Sequence, residues 1–168
     1  PLAQPAFALE LLRRYKEEEY GRHAAIETCG HAPWTDMAPL LPFVDLVLFD
    51  VKIMDPVRHR ACTGIGNELI LSNATRIAAA GIPLIVRLPL IPGHTDDEEN
   101  VRAVAAFAAW LPGVRELHLL PYHRLGEPKY GRLGRPYSLR GAPSLDRNRL
   151  ASLVAVVVRY GLATVVGG

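Results

Sequence analysis

Short apolar segments alternate with helical segments along this chain, and that alternation constrains the fold more than any other feature. Four segments are mainly apolar and bounded by Gly, Pro or charge, and a shorter one closes the chain: residues 24–29, 45–51, 83–91, 116–122 and 163–166. They predict buried strands. Helices are predicted between and around them, at residues 2–20, 67–80, 96–111 and 145–160, with Thr95 as the N-cap of the third. Strands joined by helices form parallel pairs through right-handed crossovers, so the fold class is α/β, doubly wound or barrel-like.

The length of the chain limits how much of a barrel it can form. Its 168 residues, 49% of them hydrophobic, suit one globular domain over residues 1–168. A complete eight-unit barrel takes about 250 residues, so we expect a partial barrel of about four central parallel strands plus a short C-terminal strand. Pro1 leads directly into a helix with no strand ahead of it. We therefore expect the N-terminal strands of the barrel to be missing.

Charge and hydropathy exclude several kinds of partner. Nineteen Lys and Arg residues face seventeen Asp and Glu residues, for a net charge of +2, and no basic block predicts nucleic-acid binding. No apolar run approaches the roughly 18 residues of a membrane span, and no signal peptide is visible, so we expect no membrane partner and a cytoplasmic location. Cys29 and Cys62 lie too far apart in sequence to form a local metal-binding pair, and we expect both to act as small apolar side chains.

Polar residues stand at the carboxyl ends of the predicted strands, where the loops of parallel β/α folds carry the chemistry. They are Glu27, Thr28, Asp50, Lys52, Arg87 and His123. Strand alternation predicts that Asp50 and Lys52 share one face. Charges in an apolar strand are costly unless they pair or bind a ligand, so the two form either a buried ion pair or part of a site. His123 is structural or functional, and Glu27 caps a helix, pairs with Lys52 or belongs to the site.

Several short motifs, taken in order, resemble those of the glycyl-radical enzyme activating proteins, a group of the radical S-adenosylmethionine (SAM) superfamily that includes pyruvate formate-lyase activating enzyme. They are residues 27–30 (ETCG), 50–52 (DVK), Thr63-Gly64 with Asn67, Arg87 with residues 91–99 (IPGHTDDEE), and 119–123 (LLPYH) with Gly126 and Lys129-Tyr130. Each motif alone is weak, but the ordered set with fitting separations spans nearly the whole chain.

The resemblance implies the C-terminal part of a partial (β/α)6 radical-SAM barrel. It implies an oxidoreductase in which a reduced 4Fe-4S cluster cleaves SAM to a 5′-deoxyadenosyl radical. That radical removes hydrogen from a glycine of a partner glycyl-radical enzyme, and flavodoxin or ferredoxin would supply the electron. The SAM-binding residues implied are Asp50, Val51, Lys52 and His123, with Arg87 meeting either the SAM carboxylate or the glycine loop of the partner.

The resemblance also implies a monovalent cation beside the SAM carboxylate. Its implied ligands are Glu27, Thr28, the carbonyl of Leu48, and Asp50. Hard oxygen ligands suit such an ion, which would screen the SAM carboxylate from Asp50. Glu27 stands where an aspartate is expected.

One part of the family pattern is absent from the sequence. The C-x-x-x-C-x-x-C motif that holds the cluster does not occur, so we expect the cluster ligands ahead of Pro1 and an inactive fragment. Two alternatives stay open. The first is a barrel decarboxylase, because the D-x-K-x-x-D pattern of orotidine phosphate decarboxylases is matched by Asp50, Lys52 and Asp55. The second is a non-catalytic module that lacks the cluster region and docks a glycyl-radical enzyme.

Overall fold

The computed structural model of the protein, which describes residues 1–18 and 21–167, contains a parallel sheet of five strands. The strands are β1 (Ala25–Thr28), β2 (Leu46–Asp50), β3 (Leu84–Leu90), β4 (Glu116–Pro121) and β5 (Ala163–Val166). They lie in the order β1-β2-β3-β4-β5, each parallel to the next. A doubly wound sheet would reverse its strand order partway. The consecutive order is therefore that of an open part of a barrel, which confirms the predicted fold class.

Helices and short 3-10 turns connect the strands. The helices are α1 (Pro5–Glu18), α2 (Trp34–Met37), α3 (Pro56–Thr63), α4 (Glu68–Ala79), α5 (Glu98–Trp110), α6 (Glu127–Arg132) and α7 (Arg147–Val158). The 3-10 turns are Ala38–Phe43 and Arg124–Gly126. Residues 19 and 20, at the end of the first predicted helix, lie outside the described part of the chain. Within residues 1–18 and 21–167, no helix is long and apolar enough to cross a membrane.

The core lies on one face of the sheet. Alternate strand residues such as Phe49, Val86 and Leu117 are fully buried and share one hydrophobic cluster with α4 and α5 residues, including Ile77 and Val104. Truncating a buried side chain of this kind to alanine costs ~2–5 kcal/mol. Because successive strand residues point to opposite faces, the residues between these face the concave side of the sheet. Polar and charged side chains can occupy that side, since the helices do not cover it.

The strands begin and end within one residue of the predicted positions, but the short helices α2, α3 and α6 were not predicted, and the cap of α5 differs from the expectation. Thr95 does not cap α5. Its side chain is buried and turned inward, where Oγ1 donates to the Pro89 carbonyl (2.5 Å) and accepts from the Ile91 N–H (2.7 Å). Asp97 caps the helix instead and accepts from the Asn100 N–H at 2.9 Å. Helix α3 was not predicted, because its sequence PVRHRACT carries no apolar stripe.

Candidate functional site

A cavity of about 700 Å³ opens on the concave side of the sheet at the carboxyl ends of the strands. Four strands in a row reach it, because parallel strands all end at the same edge. Its polar lining includes Glu27, Asp50, Arg87 and His123, four of the predicted site residues, and the chain beyond β4 adds Tyr122. The structure therefore brings these residues into one cleft.

Arg87 is the centre of the polar network in this cleft. Its Nε and Nη2 atoms donate to Oδ1 of Asp50 at 2.9 and 2.8 Å, and Nη2 is also ion-paired with Glu27. The Arg87 side chain is only 9% exposed, whereas that of Asp50 is 19% and that of Glu27 is 63% exposed. Water therefore screens the pair with Glu27 far more than the pair with Asp50. The Asp50 pair is therefore the better shielded of the two.

The strand register explains why these three charges meet. Asp50 is the direct neighbour of Arg87 across β2 and β3, so their side chains leave the same face of the sheet. Glu27 lies on β1 beside Leu48, one step below Asp50 on that face, and its longer side chain reaches the guanidinium. Removing one partner of a buried ion pair costs ~3–5 kcal/mol because it leaves the other charge unpaired.

The pairing also holds the network in its charged form. Burial opposes the charge on Arg87, but the hydrogen bonds with Glu27 and Asp50 outweigh it and raise the pKa of the guanidinium above its usual value. The Arg87 hydrogen bond holds the pKa of Glu27 below its usual value, against the smaller effect of burial. One positive and two negative charges thus face the cavity, a net of −1.

Lys52 lies two residues beyond the end of β2. The strand ends at Asp50, and Lys52 lines an adjoining cavity of about 350 Å³ with Cys62 and His94. The two cavities share Ile91 and Leu139 in their walls. The alternation of burial continues past the end of β2, with Val51 and Ile53 buried and Asp50 and Lys52 half-buried.

Two buried asparagines fix the main chain around Lys52. Asn100 donates to the carbonyls of Lys52 (2.9 Å) and Thr95 (3.1 Å) and accepts from the Met54 N–H at 3.0 Å. Asn67 donates to the carbonyls of Ile53 and Met54 at 3.0 and 2.7 Å. These bonds satisfy the polar groups of a segment that has left the sheet. The position of Lys52 therefore depends on α5 and on the start of α4.

The Val51 side chain faces the core, and its main chain pairs with β3. Its side chain is 1% exposed and belongs to the hydrophobic cluster. Its N–H donates to the Arg87 carbonyl at 2.9 Å, which extends the pairing of β2 with β3 by one residue. A side-chain contact between Val51 and a ligand in either cavity would require this core packing to open.

His123 is exposed and follows directly after β4, at the mouth of the larger cavity. Three tyrosines line the same side of that cavity. Tyr122 and Tyr137 join their hydroxyls at 2.9 Å, and this hydrogen bond is the main reason that the pKa of Tyr137 is raised to about 12. The rings of Tyr130 and Tyr137 lie 4.8 Å apart. The three tyrosines therefore form an aromatic wall in the same cavity as the charged strand ends.

Sequence reasoning missed this wall, and it missed a polar pair deeper on the concave face. His118 Nε2 lies 3.1 Å from Oε2 of Glu116, and His118 is the register neighbour of Arg87 on β4. Alternation along ELHLLP places Glu116 and His118 on one face, a signal that was available in the sequence. The tyrosines come from the chain beyond β4, where only the short helix α6 carries one of them, Tyr130, and no sequence pattern indicated that they would meet.

The predicted cation ligands do not form one cluster. Alternation turns the Thr28 side chain away from Glu27, and its hydroxyl accepts from the Gly30 N–H at 2.9 Å. The Arg87 guanidinium occupies the position between Glu27 and Asp50. A monovalent cation does not fit this donor set, because a positive group already binds both carboxylates. Among the described residues, no group of three His, Cys, Asp or Glu side chains could hold a metal ion. The two cysteines do not fit a 4Fe-4S cluster.

Asp55, which the decarboxylase pattern requires, has a structural role. It is the N-cap of α3, and its carboxylate accepts from the Arg58 N–H at 2.7 Å. Pro56 follows at the first helical position, a common arrangement at helix starts. Local helix capping therefore explains the second aspartate of D-x-K-x-x-D.

Comparisons with known proteins point to one family. Residues 1–105 match the radical SAM superfamily. The isethionate sulfite-lyase activating enzyme of Nitratidesulfovibrio vulgaris is 46% identical over 161 residues, which cover 95% of this chain and 51% of that protein. The pyruvate formate-lyase 2-activating enzyme of Escherichia coli strain K12 is 38% identical over 168 residues, which cover 99% of this chain and 56% of that protein. The chain thus spans about half the length of these curated relatives.

A solved structure shares the fold over its full length. The crystal structure of a domain of pyruvate-formate lyase-activating enzyme from Bacteroides vulgatus superposes with a TM-score of 0.82 at 30% identity. The match covers 100% of this chain and 94% of that one. The open five-stranded sheet is therefore an arrangement that this similar domain also adopts.

Proposed function

The chain belongs to the radical SAM superfamily, and we propose that it provides the SAM-binding wall of a glycyl-radical enzyme activating enzyme. The observation that carries this proposal is the cleft at the carboxyl ends of the strands, where Asp50, Arg87 and His123 converge. Curated relatives that activate isethionate sulfite-lyase and pyruvate formate-lyase 2 align with nearly all of the chain. They support the same reaction class.

Asp50, Lys52, Arg87 and His123 are the residues that we propose to hold SAM. SAM carries a carboxylate, an ammonium and a sulfonium group, so it needs partners of both signs. Arg87 Nη1 and Asp50 Oδ2 make no hydrogen bond within the described part of the chain, so one donor and one acceptor remain for a ligand. Lys52 adds a positive charge from the adjoining cavity, and His123 adds a ring at the mouth.

The cofactors would supply the chemistry, and the residues of this cleft would hold SAM. A reduced 4Fe-4S cluster would supply the electron for cleavage of SAM, and the 5′-deoxyadenosyl group so released would take a hydrogen atom from a glycine of the partner enzyme. Because Cys29 and Cys62 do not fit that cluster, its cysteines would lie outside residues 1–168, and flavodoxin or ferredoxin would donate the electron in the cytoplasm. The rings of Tyr122, Tyr130 and Tyr137 line this cleft and would cover part of the bound nucleoside. This limits access of water to the bound nucleoside.

Reconstitution of the intact protein with iron and sulfide tests the reaction. We expect the absorbance of a 4Fe-4S cluster and release of 5′-deoxyadenosine from SAM on reduction. If the intact protein shows neither, it is not an activase. A protein that binds a glycyl-radical enzyme but shows neither signal would instead be the non-catalytic docking module.

Two variants test the proposed SAM wall separately from the cluster. Lys52→Met and His123→Gln each remove one polar contact without disturbing the Arg87 network. Loss of a hydrogen bond to a charged group costs ~1.5–3 kcal/mol, so SAM should bind about tenfold to 100-fold more weakly. The matched control is His23→Gln, because His23 is exposed and precedes β1 at the opposite end of the sheet. Equal affinity in all three variants would remove Lys52 and His123 from the site.

A further inference from the structure

Two carboxylates from neighbouring strands converge in the larger cavity, and an internal cation already joins them. The Arg87 guanidinium binds Glu27 on β1 and Asp50 on β2 while it extends from β3. Arginine keeps its charge in proteins, and here the surrounding hydrogen bonds outweigh burial. The positive charge at this position is therefore permanent.

We propose that the Arg87 guanidinium takes the place of a monovalent metal cation in this protein, so that SAM binding needs neither sodium nor potassium. This inference rests on the proposed SAM site. With Arg87 in place, the two carboxylates and the guanidinium carry a net charge of −1, the same as two carboxylates with one bound alkali ion. An alkali ion bound between the same carboxylates would lie close to the guanidinium and be repelled by its positive charge.

Side-chain length and direction support the substitution. Glu27 has one more methylene than the aspartate expected at its position, and that extra length carries its carboxylate to Arg87. Thr28, the other side chain of the expected ligand set, faces away and accepts from the Gly30 N–H. Leu48 lies in the middle of β2, paired on both sides, with Glu27 and with Ile85. The four expected cation ligands therefore do not point to one position. The Glu27 and Asp50 carboxylates bind Arg87, the Thr28 hydroxyl binds a turn, and Leu48 is paired within the sheet.

Arg87 also retains a hydrogen-bond donor for a ligand. Nε and Nη2 are used by the carboxylates, whereas Nη1 donates to none of the described residues. Because the guanidinium is planar and held by two partners, Nη1 is fixed in direction before a ligand arrives. A carboxylate approaching from the cavity would find the charge that a metal ion would otherwise supply.

Binding of thallium(I), a potassium analogue, to the intact protein tests the inference without any activity assay. Equilibrium dialysis in nitrate salts, with choline as the inert cation, should show no saturable thallium binding to the wild type. Arg87→Gln removes the charge and should create one saturable site. Arg87→Lys is the matched control, because it keeps the charge and should bind no thallium.

The affinity for SAM gives the second measurement. Wild-type affinity should be the same in choline and in potassium salts. In Arg87→Gln, potassium should strengthen SAM binding by about tenfold, a common size for coupling between neighbouring sites. Saturable thallium binding to the wild type, abolished by Glu27→Gln, would overturn the inference even if Arg87→Gln does not fold. Failure of SAM to bind in any salt would refute the proposed function instead, while the thallium result would still decide the role of Arg87.

Discussion

Replacing Asn100 with alanine should both destabilise the protein and loosen the segment that carries Lys52. Asn100 is 3% exposed and its side chain makes three hydrogen bonds, at 3.0, 2.9 and 3.1 Å, to the main chain of Met54, Lys52 and Thr95. Each such bond contributes about 1 kcal/mol net. The substitution should therefore lower the free energy of unfolding by about 3 kcal/mol. For a chain of this size it should lower the Tm by roughly 6–12 °C.

Urea unfolding followed by circular dichroism and by tryptophan fluorescence measures this loss, and agreement of the two probes checks two-state behaviour. The matched control is Asn148→Ala. Asn148 is exposed in the first turn of α7, and its replacement should change stability by less than about 0.5 kcal/mol. SAM should also bind more weakly to the Asn100 variant than to the control, since the carbonyl of Lys52 loses its anchor. If both variants are equally stable, the reasoning about this buried network is wrong.

Three further substitutions test other parts of the structure. Gly30→Ala should cost about 2–4 kcal/mol, because Gly30 has a φ of 69° and an added Cβ would overlap a core phenylalanine ring; an unchanged urea midpoint would contradict this. Asp97→Asn should lose a pH-dependent part of stability: Arg58 holds the pKa of Asp97 below its usual value, so the wild-type advantage is full above the unfolded-state pKa of about 4. It should shrink as pH falls through the lower folded-state pKa, and an advantage that is constant between neutral and acidic pH would refute the assignment. Tyr122→Phe should bring the pKa of Tyr137 down from about 12, measured by ultraviolet titration against a Tyr137→Phe reference, and no change would exclude the hydroxyl pair.

The strands were predictable because each is a short apolar run between clear boundaries. Their consecutive order was not, since the alternation of strands and helices also fits a doubly wound sheet. The placement of Asp50 and Arg87 in one cleft followed from the rule that parallel strands end at one edge. Their direct pairing depends on register, which the sequence pattern leaves open.

The errors arise where a boundary or a distant contact decides the outcome. β2 ends two residues before Lys52, and the Lys52 side chain lines the adjoining cavity, which the sequence pattern did not indicate. Thr95 has the chemistry of an N-cap, yet it turns inward because Asp97 is better placed for the helix. Asn100 bonds to a carbonyl 48 positions away, and such a contact leaves no local pattern.

Arg87 joins side chains from three adjacent strands, and this has a consequence for how such a site changes over evolutionary time. The length of the side chain at position 27 and the charge at position 87 are coupled, because the Glu27 carboxylate is paired with the Arg87 guanidinium. A change at position 87 that removes the charge would leave two carboxylates facing one cavity, and it would change what the side chain at position 27 has to bind. The two positions should therefore covary, and their substitutions should be non-additive in a double-mutant cycle.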